Sequence, residues 1–217
     1  DTTRSKHGHQ KIINAFEKRD IDVLVGTQMV TKGLDFDHVS VVGIMNADNM
    51  INFPDFRSHE RSFQLMAQVA GRAGRKNKRG RVIIQTFNPG QEVIVDVVAN
   101  DYEKLYNRLM ADRQRFQYPP YHRLVEVKLL YKDFRLLNEA AKVLGNQLHT
   151  IFPGQVLGPE YPVVSRIRDQ YIKQLLLKVR KQDSVSGAKK KLLEQLDDFA
   201  SLKEFKKVRI KIVVDPY

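Results

Sequence analysis

Two adjacent prolines, in Tyr118-Pro119-Pro120-Tyr121, divide this sequence more sharply than any other feature. A proline ring fixes φ near about −65° and removes a backbone donor, so neither a helix nor a central strand runs through such a pair. The apolar pattern differs on its two sides, and a domain boundary is expected there. Before it the chain alternates strand and helix. Ile12, Ile13 and Phe16 share one face of a helix over 9–19. Residues 21–27 read as a short buried strand ending in a Gly-Thr turn, 39–45 as a second strand covered on both faces, and 82–86 as a third. Between the last two, Phe63, Met66, Ala67 and Ala70 recur at helical spacing over 58–74. This alternation predicts an α/β domain on a parallel sheet over 1–89, followed by one amphipathic connecting helix over 90–117.

After the prolines the pattern changes. Strands are expected at 124–130, 155–164, 171–179 and 208–214, with helices at 134–150 and 184–203. The order β-α-β-β-α-β over 118–217 is the ferredoxin-like arrangement of an α+β domain. That fold carries many functions and selects none.

Composition removes several classes. The sequence has no cysteine, which excludes disulfides and thiolate metal sites in this chain. No apolar run approaches the ~18 residues of a membrane span, so no membrane partner is expected. The chain opens on Asp1 without an initiator methionine or an apolar leader segment, as a piece of something longer would. His7-Gly8-His9 has no accompanying ligands and reads as solvated histidines, not as a metal site. Net charge is +12, and residues 116–217 hold 19 basic against 11 acidic side chains. Such an excess points to a polyanion, most often nucleic acid. Tyr171 and Phe205 read as isolated aromatics, so base stacking is expected to contribute little.

Two stretches carry chemistry. In Gln68-Val69-Ala70-Gly71-Arg72-Ala73-Gly74-Arg75, two arginines three apart share a helical face, and the glycines admit a close backbone or phosphate. A guanidinium grips phosphate oxygens in bidentate fashion and stabilises charge developing on a γ-phosphate. Six of the ten residues from Arg72 to Arg81 are basic. In Gly26-Thr27-Gln28-Met29-Val30-Thr31-Lys32-Gly33-Leu34-Asp35-Phe36, amides and a hydroxyl at a strand end suit a nucleic-acid phosphate, and the aspartate suits a ribose hydroxyl. A solvated basic turn and an ordinary Gly-Thr turn account for either stretch alone, but not for both in this order.

Together these stretches resemble motifs V and VI of superfamily-2 helicases. The segment Asp55-Phe56-Arg57-Ser58-His59-Glu60-Arg61 leading into the arginine motif resembles the primosomal replication-restart helicases among them. So do Asp1-Thr2-Thr3, Tyr118-Pro119-Pro120 and Val214-Asp215-Pro216. The resemblance spans the chain, is specific over 23–89 and looser over 116–217. It implies that 1–89 is the later part of a second RecA-like motor lobe. Arg72 and Arg75 would reach across the interlobe cleft to ATP, with Arg75 on the γ-phosphate and Gln68 ordering the cleft. Gly33 and Asp35 would lie near the nucleotide, and Thr27 and Lys32 on the DNA backbone. Residues 118–217 would match a C-terminal domain akin to a small-subunit ribosomal protein. There Gln174 would meet the acidic tail of single-strand-binding protein, with Arg166 or Arg168 as the basic companion.

The sequence contains neither a Gly-x-x-x-x-Gly-Lys-[Ser/Thr] loop nor an Asp-Glu-x-His box. Under the resemblance, magnesium and most ATP contacts, like the family's zinc cysteines, belong upstream of Asp1. This chain alone is then expected to be inactive as an ATPase. The parent would be a cytoplasmic, nucleoid-associated bacterial enzyme that moves 3′ to 5′ on forked and single-stranded DNA and assembles the primosome with its other proteins. Another superfamily-2 DNA translocase is the first alternative. For the isolated chain, a non-catalytic DNA- or protein-binding module is the second.

Overall fold

Apolar residues at helical and strand spacing condense into two units, Asp1–Leu109 and Met110–Tyr217. The structure, a computed structural model, describes residues 6–27, 38–71, 73–74 and 80–216. The first unit contains helix α1 (Lys6–Glu17), strand β1 (Val41–Ile44), helices α2 (Ala47–Ile51) and α3 (Ser58–Ala70), strand β2 (Arg81–Ile84) and helix α4 (Glu92–Ala99). Helix α5 (Tyr102–Arg115) begins in this unit and ends in the next. β1 and β2 pair in parallel, from Val41 opposite Arg81 to Ile44 opposite Ile84. Parallel neighbours need a crossover, which α2 and α3 provide. Ile44, Ile51, Phe63, Met66, Val93 and Leu105 form the core beneath the pair.

The expected strand over 21–27 does not form. Val23 and Val25 are 71% and 87% exposed, and no ladder joins them to the described sheet. A strand apolar throughout gains its burial from a sheet covered on both faces. Here the described sheet is a two-stranded ribbon covered on one face. For the same reason the expected strand over 39–45 shortens to β1 and alternates in burial, with Val41 and Met45 exposed and Ile44 buried.

The segment expected to be one connecting helix is two. Asn100 adopts a left-handed conformation (φ 53°) and closes α4. The Asp101 carboxylate then accepts the Lys104 amide at 2.9 Å, capping the start of α5. Val93, Ile94, Leu105 and Leu109 join the first core, so these helices belong to that unit through Leu109. A buried ion pair holds them together. The Asp96 carboxylate is fully buried and accepts from Arg108 Nη2 at 2.5 Å, while Lys104 Nζ approaches to 3.5 Å.

The second unit follows the expected order. Strand β3 (His122–Tyr131) leads to helix α6 (Phe134–Ile151), strand β4 (Val156–Glu160), the short β5 (Arg166–Ile167), β6 (Gln170–Arg180), helix α7 (Val185–Ser201) and β7 (Arg209–Val214). The sheet order is β4-β6-β3-β7, antiparallel throughout, with β5 added as a hairpin on β6. This is the ferredoxin-like α+β topology read from the sequence. Asp133 and Ser184 cap the two helices, accepting the Leu136 amide at 2.9 Å and the Gly187 amide at 3.0 Å. Leu137, Leu144 and Leu148 pack with Val127, Leu129, Leu175 and Phe199 between helices and sheet. Gly158 (φ +94°) marks a bulge in β4, where a Cβ would stand 2.8 Å from the Gln174 carbonyl oxygen.

On the opposite face, buried Lys178 ties the segment before the double proline to the sheet. Its Nζ donates to the Phe116 carbonyl at 2.7 Å and lies 3.9 Å from the Tyr118 ring centroid. Burial pushes the Lys178 pKa down. Burial, reinforced by Arg180 and Lys178 and opposed by Asp183, also holds His122 below its ordinary value of about 6.5. Among the described residues no helix is long and apolar enough to cross a membrane.

Arg108→Ala leaves the buried Asp96 carboxylate without its guanidinium, and losing one partner of a buried pair costs about 3 kcal/mol. Calorimetry of the chain is expected to show the first unit's transition lowered and the second unit's unchanged; an unmoved first transition contradicts the pairing. His122 stays neutral in the folded unit at pH values where the unfolded chain already takes up a proton. The unfolded state therefore binds more protons below about pH 6.5, and stability falls with acidification until the folded pKa is passed. Between about pH 7 and 5.5, the second unit is expected to lose less stability in His122→Gln than in the wild type. Equal losses would show that His122 is not linked to folding.

Candidate nucleic-acid interface

The chain on either side of the basic stretch is hydrogen-bonded to the entry of β1. Ser40 O accepts the Arg81 amide at 2.9 Å, and Val39 O accepts the Gly74 amide at 3.1 Å. One residue earlier, the His38 ring lies 2.7 Å from Arg19 Nη2. Gly74 takes φ +76°, and a Cβ on Gly80 would lie 2.4 Å from the Gly74 nitrogen. Gly74 and Gly80 are thus close neighbours, and only a residue without a side chain allows so close an approach.

α3 delivers the arginine motif to that point, and the Asp-Phe-Arg segment fixes where α3 begins. The Asp55 carboxylate accepts the Arg57 amide at 2.8 Å and Arg61 Nη1 at 2.8 Å. Gln68 lies exposed near the C-terminal end of α3. Thr27 is also exposed, at the end of the segment that does not become a strand. Arg72, Arg75, Lys32, Gly33 and Asp35 lie outside the described residues. At the opposite end of the strand pair, Asp48 on α2 accepts Thr86 Oγ1 at 2.9 Å and the Phe87 amide at 3.1 Å. The aspartate therefore anchors the exit of β2.

In the second unit, register decides which of the expected partner-binding residues share a face. Arg166 stands opposite Tyr171, and Leu129 opposite Lys173, so Arg166, Tyr171 and Lys173 face the helices. Gln174 faces the other way. It lies in a row across the sheet with Glu160, Lys128 and Lys211, and its Nε2 donates to Glu160 Oε1 at 3.1 Å. Arg166 therefore lies on the face opposite Gln174, and Arg168 sits at the tip of the β5–β6 hairpin with φ 55°. The cations beside Gln174 are Lys128 and Lys211. Alternation within each strand already put them on one face or the other, but propensity alone did not supply the register that aligns the strands.

Nor is Tyr171 isolated, as the sequence suggested. It meets Phe134 edge-on at 5.5 Å, and Phe134 stacks on Tyr161 at 6.0 Å. These three are distant in sequence, so no local pattern announces them. Lys173 Nζ lies 3.6 Å from the Tyr161 centroid, and burial, opposed by Glu160, lowers its pKa. Among the described residues no group of three or more His, Asp or Glu side chains is placed to hold a metal ion.

Residues 1–77 match the family model of the helicase conserved C-terminal domain, a RecA-like lobe, and 114–217 match that of the primosomal protein N C-terminal domain. Over its whole length the chain is 39% identical to the replication restart protein PriA of Bacillus subtilis (strain 168), of which it covers 27%. It is 41% identical to the protein of that name from Treponema pallidum (strain Nichols), over 82% of this chain and 28% of that protein. With the one from Chlamydia trachomatis serovar D the identity is 33%, over 100% of this chain and 28% of the relative. The chain spans about a quarter of the length of the curated relatives it matches. With its two units matched in order by a helicase lobe and a primosomal C-terminal domain, the chain belongs to the PriA family of replication restart proteins.

Proposed function

We propose that this chain is the C-terminal part of an ATP-driven 3′-to-5′ DNA helicase that restarts stalled replication forks, with Arg75 acting on the γ-phosphate. The observation that carries the reading is the match of this whole chain to about a quarter of a replication restart protein, with a helicase domain over 1–77. It is supported by the hydrogen bonds of Gly74 and Arg81 to Val39 and Ser40, which hold the chain at β1 on either side of the basic stretch. In this reading Arg72 shares the phosphate contact, and Gln68, Gly33 and Asp35 line the nucleotide side. Thr27 and Lys32 meet the DNA backbone. Bound ATP and magnesium supply the hydrolysis that drives movement. This chain's residues add positive charge and position, because the sequence has no phosphate loop of its own. They offer no thiolate to the family's zinc site, as the sequence has no cysteine.

The second unit, in the same reading, holds DNA through its excess of cations. The acidic tail of single-strand-binding protein would lie on the open sheet face beside Gln174, with Lys128 and Lys211 as the countercharges. The engagement of Gln174 by Glu160 makes that contact dependent on displacing one carboxylate. The parent would work in the bacterial cytoplasm at the nucleoid, with the other primosome proteins.

In the complete protein, Arg75→Ala is expected to leave ATP binding nearly intact and to lower turnover by about 10³-fold, as loss of an arginine finger does. Normal turnover in steady-state assays would remove Arg75 from the role and leave Arg72. The isolated chain, lacking the phosphate loop, is expected to hydrolyse no ATP. It should bind single-stranded and forked DNA without sequence preference, each phosphate contact adding about 0.7 to 0.9 to the slope of log affinity against log salt. Affinity that is absent at low salt, or equal at two salt concentrations, removes the DNA-binding role of its cations.

A further inference from the structure

One edge of the second unit has a chemistry that phosphate contacts alone do not use. A chain of contacts runs along it from cation to cation through three rings. The Arg166 guanidinium lies 4.9 Å from the Tyr171 centroid, and Tyr171 meets Phe134 edge-on. Phe134 stacks on Tyr161 with 6° between the ring planes, and Lys173 lies over Tyr161. Phe134 and Tyr161 remain 49% and 39% exposed. Their positions are fixed: Tyr161 Oη donates to Asn138 Oδ1 at 2.9 Å, and Phe134 opens α6 directly after its capping aspartate.

The carboxylates nearby are mostly committed elsewhere. Asp133 holds the Leu136 amide, and Glu160 holds Gln174 on the far side of the sheet. Asp169 remains at the hairpin tip beside Arg168. The exposed surface is thus aromatic, bounded by Arg166 and Lys173. A single nucleotide strand presents the matching alternation of phosphate and ring. A duplex does not, since its bases are already stacked on one another. An acidic peptide would bring charge to the two cations but no regular series of rings to stack on the aromatic surface.

Building on the reading of this unit as DNA-binding, we propose that Phe134, braced by Tyr161 and Tyr171, forms a stacking platform for unpaired bases of single-stranded DNA, with Arg166 and Lys173 on the neighbouring rings meeting the flanking phosphates. The platform makes the unit prefer single strands whatever their sequence, because every base has a face to stack.

Fluorescence anisotropy of the 217-residue chain with oligothymidylate and with an abasic strand of equal length tests this. The wild type is expected to bind thymidylate about tenfold more tightly than the abasic strand. Phe134→Ala should erase that preference while leaving abasic binding and its salt dependence unchanged, and Phe134→Trp should keep it. Equal binding of both strands by the wild type, or a preference that survives Phe134→Ala, overturns the platform and leaves the phosphate reading standing. No binding of either strand at low salt removes both. An aspartate-rich peptide ending in phenylalanine is the control for the other polyanion. If it binds the wild type but not Phe134→Ala while the two strands remain equal, the edge serves a protein partner and the proposal fails.

Discussion

β3 is hydrogen-bonded along both of its edges, and the second unit depends on that ladder. It pairs with β6 from His122 to Tyr131 and with β7 from Val125 to Leu130. A strand paired on both sides fixes the register of its neighbours, and register fixes which side chains share a face. Val127 and Leu129 therefore meet Leu175 under the two helices, while Lys128 is aligned with Gln174 and Lys211 on the opposite face. Slipping β3 by one residue would exchange the two sets and bury Lys128 and Glu126 beneath α6. The aromatic edge follows from the same register, since it is the pairing of Tyr131 with Tyr171 that brings β6 level with the start of α6 at Phe134.

The first unit has no comparable strand. Its parallel ribbon is four residue pairs long, and its helices, tied by Asp96 and Arg108, cover one face. Its importance lies at one end of that ribbon. The backbone at Val39 and Ser40 receives the chain on both sides of the basic stretch, and Arg19 closes on His38 beside it. Gly74 and Gly80 allow this closure, which assigns those two glycines of the motif region a geometric role apart from any contact with phosphate.

Much of this was legible in the sequence, for physical reasons. The second unit's order was readable because each of its helices has one apolar face and each strand is short and bounded by turns, so local pattern and tertiary burial agree. The break at Pro119-Pro120 was readable because proline restricts the backbone whatever surrounds it. Val23 and Val25 misled because an apolar run signals burial only if a sheet is there to cover it. The single connecting helix misled because Asn100 and Asp101, which end one helix and start the next, fall inside a continuous amphipathic pattern. Among the site residues, the arginine and Gly-Thr motifs stood out by spacing. The alignment of Gln174 with Lys128 and the gathering of Phe134, Tyr161 and Tyr171 are consequences of register and topology, which no local window contains.

The second unit is held by its own ladder, whereas the four-pair ribbon of the first is only weakly self-supporting. Amide hydrogen exchange on the whole chain measures this directly, because protection reports the free energy of opening each element. The slowest amides are expected in β3 and β6, with those of β1 and β2 exchanging at least about 100-fold faster. Protection in β1 and β2 equal to that of β3 would contradict it.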